Sequence, residues 1–226
     1  MSPLRPFLQI LTTTWRYKNL AFRHPARVDS VSRRWARLML RLLGVKLSVV
    51  GKPFPGPIVL VGNHISYVDI PILMSLTPVS WLAKKELASW PLFGSAMRSA
   101  GVLFVDRSSK QARAKVGDQM AAALQQTGRP MGIFPSGTTT VDESVAWRYG
   151  IFVTAKKHGL PIQPFRLSYR PLRQAAFIGQ DSFLPHLWRL LKHPVEARIE
   201  FLEPRAVKDP RADCSELWHW ACQVLH

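Results

Sequence analysis

From residue 45 onward, short β-branched runs alternate with longer stretches of helical periodicity, the pattern of a sheet whose strands and helices take turns along the chain. Lys46–Val50, Ile58–Val61, Val79–Ala83, Val102–Val105, Met131–Phe134, Ile162–Leu167 and Ala197–Leu202 predict strands. Between them, Ile70–Ser75, Leu92–Ala100, Ser109–Gln126, Val145–His158, His186–Leu191 and Ala212–Leu225 predict helices. No repeat breaks this order, and the proline-rich residues 52–57 read as a rigid turn into the second strand. The expected fold is α/β, with a mixed, mostly parallel central sheet flanked by helices.

The first 44 residues follow another pattern. Leu4, Phe7, Leu8, Ile10, Leu11, Trp15, Leu20 and Phe22 mix with Arg16 and Lys18 until Pro25 breaks the helix they form. A second helix follows from Ser30 to Leu43. There Val31, Trp35, Leu38, Met39 and Leu42 share one face, and Arg33, Arg34, Arg37 and Arg41 the other. Asp29 can cap it and Gly44 can end it. An apolar face with Trp beside a basic face is what a helix lying in a membrane interface needs; the alternative is a basic surface helix packed on the core. The reading divides the chain into an N-terminal amphipathic, membrane-binding segment, 1–44, and an α/β domain, 45–226.

Charge sharpens that picture. With 31 Lys and Arg against 14 Asp and Glu, the formal charge is +17, a field that draws polyanions: nucleic acid, anionic lipid or phosphorylated small molecules. No nucleic-acid motif accompanies it, so an anionic membrane surface is the expected partner and nucleic acid is not. No stretch is long and apolar enough to span a bilayer, which makes the contact monotopic. Cys214 and Cys222 fall eight apart in one predicted helix, too far to bridge, and no metal-binding pattern appears. Neither a metal nor a cofactor is expected, and a reducing compartment is the default.

The candidate chemistry lies after the second strand. Residues 62–69 place His64 in a loop at a strand's carboxyl end, where open α/β sheets build their sites, and Asp69 follows within one turn. Removing a proton from a hydroxyl needs a base near neutral pKa and a carboxylate to fix its tautomer. Read alone, Asp69 is also an ordinary cap for the helix opened by Ile70 and Pro71, with His64 a polar loop residue.

Asn63, His64 and Asp69 resemble the N-H-x4-D block of the glycerolipid acyltransferase superfamily, which includes 1-acylglycerol-3-phosphate acyltransferases. Residues 101–107, ending in Arg107, resemble its second block; residues 134–138 resemble F-P-E-G-T; and residues 160–164 resemble its proline-rich fourth block. The resemblance implies an O-acyltransferase of membrane lipid biosynthesis. His64 would be the general base and Asp69 its orienting partner. Asn63, Arg107, Ser136, Gly137 and Thr138 would lie at the substrate, with Arg107 on the acceptor's phosphate. The acyl donor would be acyl-CoA or acyl-carrier protein, attacked directly by the hydroxyl of a lysolipid acceptor. The protein would sit peripherally on the cytoplasmic face of a membrane, as in the bacterial inner membrane.

Two departures bear on the acceptor. The third block usually carries Glu and Arg where this chain has Ser136 and Thr139. Loss of that Arg removes a charge-assisted phosphate contact worth about 1.5–3 kcal/mol. The leading acceptor is 1-acylglycerol-3-phosphate or a related lysophospholipid, with lyso-ornithine lipid as the alternative. A lipid-binding homologue without turnover is the non-enzymatic reading. A hydrolase is disfavoured because no nucleophile elbow surrounds Ser136.

Overall fold

A computed structural model describes residues 4–89, 94, 102–105, 110–141 and 145–223. The N-terminal pair of helices is α1 (Leu4–Arg23) and α2 (Val28–Leu42), separated by a short turn opened by Pro25. Then come β1 (Val45–Val50), β2 (Val59–Gly62), α3 (Asp69–Leu76), β3 (Ser80–Lys84) and β4 (Leu103–Val105). They are followed by α4 (Lys110–Thr127), β5 (Met131–Ile133), α5 (Gly150–Lys157) and β6 (Ile162–Arg170). The chain closes with α6 (Leu172–Ala175), α7 (Phe183–Lys192), β7 (Val195–Phe201) and α8 (Pro210–Cys222). The expected helix over 92–100 falls outside the described residues apart from Gly94.

The strands form a seven-stranded sheet in the order β1-β7-β6-β2-β5-β3-β4. Every neighbouring pair is parallel except β6 with β7, so the sheet is mixed and mostly parallel. β2 is buried at every position, as a strand covered on both faces must be. Its side chains alternate: Leu60 enters one core with Ile72, Phe165, Leu167 and Ile199, while Val59 and Val61 enter the other with Met120, Leu124, Phe152 and Ile162. β2 runs parallel to both β5 and β6, so all of their carboxyl-terminal loops leave from one edge.

Gly62, the last residue of β2, leaves space that a side chain would fill. A Cβ there would overlap the Phe165 ring, closer than carbon atoms can approach. Phe165 in turn packs edge-on against Phe134 and tilted against Phe201. This glycine lets a layer of aromatic rings close directly beneath the loop that carries His64.

The structure departs from the sequence expectations at two places. Asp29 does not cap α2: Arg27 is at that position without a side-chain bond, and Asp29 lies in the first turn, paired with Arg129 at 2.9 Å. The helix expected from Val145 begins only at Gly150. Trp147 is drawn into the core and the Arg148 N–H donates to the Pro135 carbonyl at 3.1 Å, which keeps the preceding residues non-helical. The structure also separates the two N-terminal helices by which of them meets solvent with apolar side chains. Val31, Ala36, Met39 and Leu40 of α2 are buried, and Ala36, Leu40 and Leu43 share a core with Leu60 and Ile72. The apolar face of α2 is therefore covered by protein. In α1, by contrast, Thr14 and Ala21 face inward, the Trp35 indole N–H reaches Thr14 at 3.3 Å, and Leu4, Leu8, Leu11, Trp15 and Phe22 are exposed. Their spacing of +4, +7, +11 and +18 confines them to an arc of about 60°. Arg5, Arg16 and Arg23 flank this stripe at about 100° around the helix.

Candidate active site

β2 ends at the sheet's center, and its loop curls around one carboxylate. Asp69 is fully buried at the start of α3. Its Oδ2 accepts the Ile65 N–H at 2.7 Å and the Ser66 N–H at 3.0 Å, and lies 2.7 Å from His64 Nδ1. Oδ1 accepts the Tyr169 hydroxyl. An ionised carboxylate survives away from water only with such a set of donors, and every one is supplied here. The alternative role for Asp69, capping α3, is not taken: Val68 holds the cap position and makes no side-chain bond.

Nδ1–H of His64 donates to Asp69, which leaves Nε2 with a free lone pair. Nε2 has no protein partner among the described residues, and the side chain is 18% exposed. The imidazole is thus anchored at one nitrogen and open at the other. Its flat face stacks on Phe134, with ring centroids 4.0 Å apart and planes 7° apart, and Phe134 stacks in turn on Trp81 at 5.5 Å. An imidazolium formed on this ring gains from the negative face of the benzene beneath it.

Burial, followed by the nearby Asp69 charge, pushes the Tyr169 phenol well above its usual range. Tyr169 therefore remains a donor to Asp69 at any pH the protein meets. Tyr67, in the same loop, is likewise pushed up, chiefly by burial. Its hydroxyl lies 2.9 Å from His186 Nδ1 on α7, and burial lowers the pKa of that histidine, favouring its neutral form.

Three loops are stitched together around His64. Thr140 N–H donates to the His64 carbonyl at 2.8 Å, Phe177 N–H donates to the Ile65 carbonyl at 3.0 Å, and the Thr139 hydroxyl bonds the Phe177 carbonyl. The third-block residues follow β5 on the same edge. Gly137 has φ of +72°, a conformation glycine adopts without strain, and its N–H closes a turn onto the Phe134 carbonyl at 3.0 Å. Ser136 is buried, and its hydroxyl donates to the Thr138 carbonyl at 2.7 Å, which keeps it within its own turn.

Asn63 is committed elsewhere. Its Nδ2 donates to the Leu167 carbonyl at 2.8 Å and its Oδ1 accepts the Leu167 N–H at 2.7 Å, extending the β2–β6 pairing past the last strand residue. Arg107 lies outside the described residues. Tyr169 and the Phe134 stack had no signal in the sequence: Tyr169 lies beyond the predicted end of its strand, and an aromatic at the end of β5 reads simply as core.

The family profile described as Acyltransferase spans residues 46–168, more than half of the chain. The chain belongs to the acyltransferase family. Among its relatives, the lyso-ornithine lipid O-acyltransferase of Pseudomonas aeruginosa is 38% identical over 201 residues, covering 86% of this chain and 76% of that protein. The 1-acyl-sn-glycerol-3-phosphate acyltransferase of Helicobacter pylori is 34% identical over 140 residues, 60% of this chain and 59% of the relative. The crystal structure of the 1-acyl-sn-glycerophosphate (LPA) acyltransferase PlsC from Thermotoga maritima superposes with a TM-score of 0.72, covering 100% of this chain and 96% of that one at 18% identity, a likeness of fold. In this acyltransferase, no described helix is long and apolar enough to cross a membrane.

Proposed function

We propose that this acyltransferase moves a fatty acyl group from a thioester, acyl-CoA or acyl-carrier protein, to the hydroxyl of a lysolipid. The observation that carries the reading is the buried Asp69 holding Nδ1 of His64 while Nε2 is left open. Nε2 takes the proton of the acceptor hydroxyl as its oxygen attacks the thioester carbonyl. The tetrahedral intermediate expels the thiolate, which recovers the proton from the imidazolium. Asp69 and the Phe134 face stabilise that cation while it exists. No covalent acyl-enzyme forms, and no metal or cofactor enters.

Gly137 and Thr138 shape the acceptor's turn, and Arg107 holds an acceptor phosphate. Ser136 and Asn63 act by positioning, since their polar atoms are spent within the protein. The identity of the P. aeruginosa relative, together with Ser136 and Thr139 in the third block, supports lyso-ornithine lipid as the acceptor; the H. pylori relative supports 1-acylglycerol-3-phosphate. Palmitoyl-CoA and palmitoyl-acyl-carrier protein, each offered with lysophosphatidic acid and lyso-ornithine lipid side by side, decide between them by mass spectrometry of the lipid product. Preferred conversion of lyso-ornithine lipid is expected from the altered third block; preferred conversion of lysophosphatidic acid shows that Ser136 and Thr139 tolerate a phosphate.

The acyltransferase meets its acceptor at an anionic membrane surface, on the cytoplasmic face where thioester donors are made. The exposed stripe of α1 enters the acyl boundary while Arg5, Arg16 and Arg23 meet lipid phosphates. Substituting Leu8→Glu and Trp15→Glu together is expected to lower binding to anionic vesicles at least about 100-fold, from the burial lost at two large side chains. Activity on detergent-dispersed lipid is expected to survive. Unchanged vesicle sedimentation contradicts the assignment to α1.

A further inference from the structure

Thr139 stands where the third block that this chain resembles carries Arg, and its hydroxyl is turned to the Phe177 carbonyl. A guanidinium has nevertheless been brought to the same turn from Arg148, nine residues beyond Thr139. Trp147 is buried in the core, its carbonyl accepting from the Cys214 thiol, and the Arg148 N–H is bonded to the Pro135 carbonyl. These anchors fix where Arg148 starts. Its side chain then lies across the third-block turn: a Cβ on Gly137 would be 3.5 Å from a terminal guanidinium nitrogen. The guanidinium has no ion pair or hydrogen bond among the described residues.

The turn itself offers more donors. Gly137 is left-handed at φ +72°, and the N–H groups of Thr138 and Thr139 that follow it donate to no acceptor among the described residues. Successive free amides after a left-handed residue form a concavity that holds an anionic oxygen, and a planar guanidinium beside it supplies the charge. One residue further, Thr140 N–H is bonded to the His64 carbonyl, so an anion held here is fixed relative to the catalytic loop.

Resting on the acyl-transfer reading above, we propose that Arg148 and the Thr138 and Thr139 amides bind the oxyanion of the acceptor's headgroup. Arg148 thereby replaces the cation missing at Thr139 and acts as a specificity residue. The shared chemistry is an oxyanion, the phosphate of a lysophospholipid or the carboxylate of an amino-acid lysolipid.

Acceptor and donor KM are measured for the wild type, Arg148→Ala and Arg148→Lys with lysophosphatidic acid and with lyso-ornithine lipid. Arg148→Ala is expected to raise the KM of the acceptor it holds about tenfold or more, with donor KM unchanged and partial recovery in Arg148→Lys. A rise with only one lipid identifies the oxyanion. An acceptor KM within twofold of wild type for both lipids overturns the proposal, as does an equal rise in donor KM. If the wild type acylates neither lipid, the acyl-transfer reading fails by itself. Titration of each lysolipid against tryptophan fluorescence then decides the Arg148 site: a Kd raised about tenfold in Arg148→Ala supports it, and an equal Kd overturns it.

Discussion

His64→Ala is expected to lower acceptor-dependent acyl transfer by about 10²–10⁴-fold, the range a positioned general base supplies. The lysolipid hydroxyl is a poor nucleophile until its proton has somewhere to go, and Nε2 of His64 is the group the loop holds ready. The variant should fold. Asp69 keeps its Ile65, Ser66 and Tyr169 donors without the imidazole, so no buried charge is stranded. The ring that is lost covers only one face of Phe134. A near-native thermal transition with transfer reduced by that factor is therefore the expected pair of results. Transfer within threefold of wild type in the same preparation removes His64 from the chemistry.

Asp69→Asn is expected to do comparable damage by another route. The carboxylate presents acceptors on both sides, three nitrogens at Oδ2 and a hydroxyl at Oδ1. An amide has one acceptor oxygen, so its NH2 must turn toward Tyr169, whose hydroxyl can rotate to accept. The loop keeps its backbone bonds, but the imidazolium loses its counter-charge, and transfer should fall on the order of 10³–10⁴-fold. Asp69→Ala is the harsher change. It leaves the Ile65 and Ser66 amides and the Tyr169 hydroxyl buried without acceptors, at about 1–3 kcal/mol for each group. Thermal melts separate the two: Asp69→Asn is expected to stay close to wild type, Asp69→Ala to fall by many degrees. Equal melts for all three proteins contradict the view that Asp69 organises the loop as well as the base.

Much of this architecture can be read in the chain because its parts are local. Each predicted strand exists, since β-branched runs bounded by Gly and Pro have few alternatives in a two-sided sheet, and the boundaries move by only a few residues. His64 and Asp69 are legible for the same reason, five residues apart after a strand. What could not be read depends on distant chain. Tyr169 reaches Asp69 from a hundred residues away. The Phe134 stack requires β5 to neighbour β2, and no periodicity encodes strand order. The helices α1 and α2 show the same limit. Both are amphipathic in sequence, and α2 has the cleaner separation of aliphatic and arginine faces. Tertiary packing then covers the aliphatic face of α2 with α1 and α3, leaving the less regular α1 with the exposed stripe. Amphipathicity reports that a face will be covered; protein and lipid are alike to it.

The most direct test of the central claim follows palmitoyl transfer by the purified protein in detergent, counting thiol released and diacylated lipid formed with lysophosphatidic acid or lyso-ornithine lipid, with both thioester donors. The account predicts thiol and acylated lipid in equal amounts with at least one of the acceptors, little thiol without an acceptor, and both products formed about a hundredfold or more slowly by His64→Ala. Absence of acylated lipid from every donor and acceptor pair, in a protein shown to be folded, contradicts it.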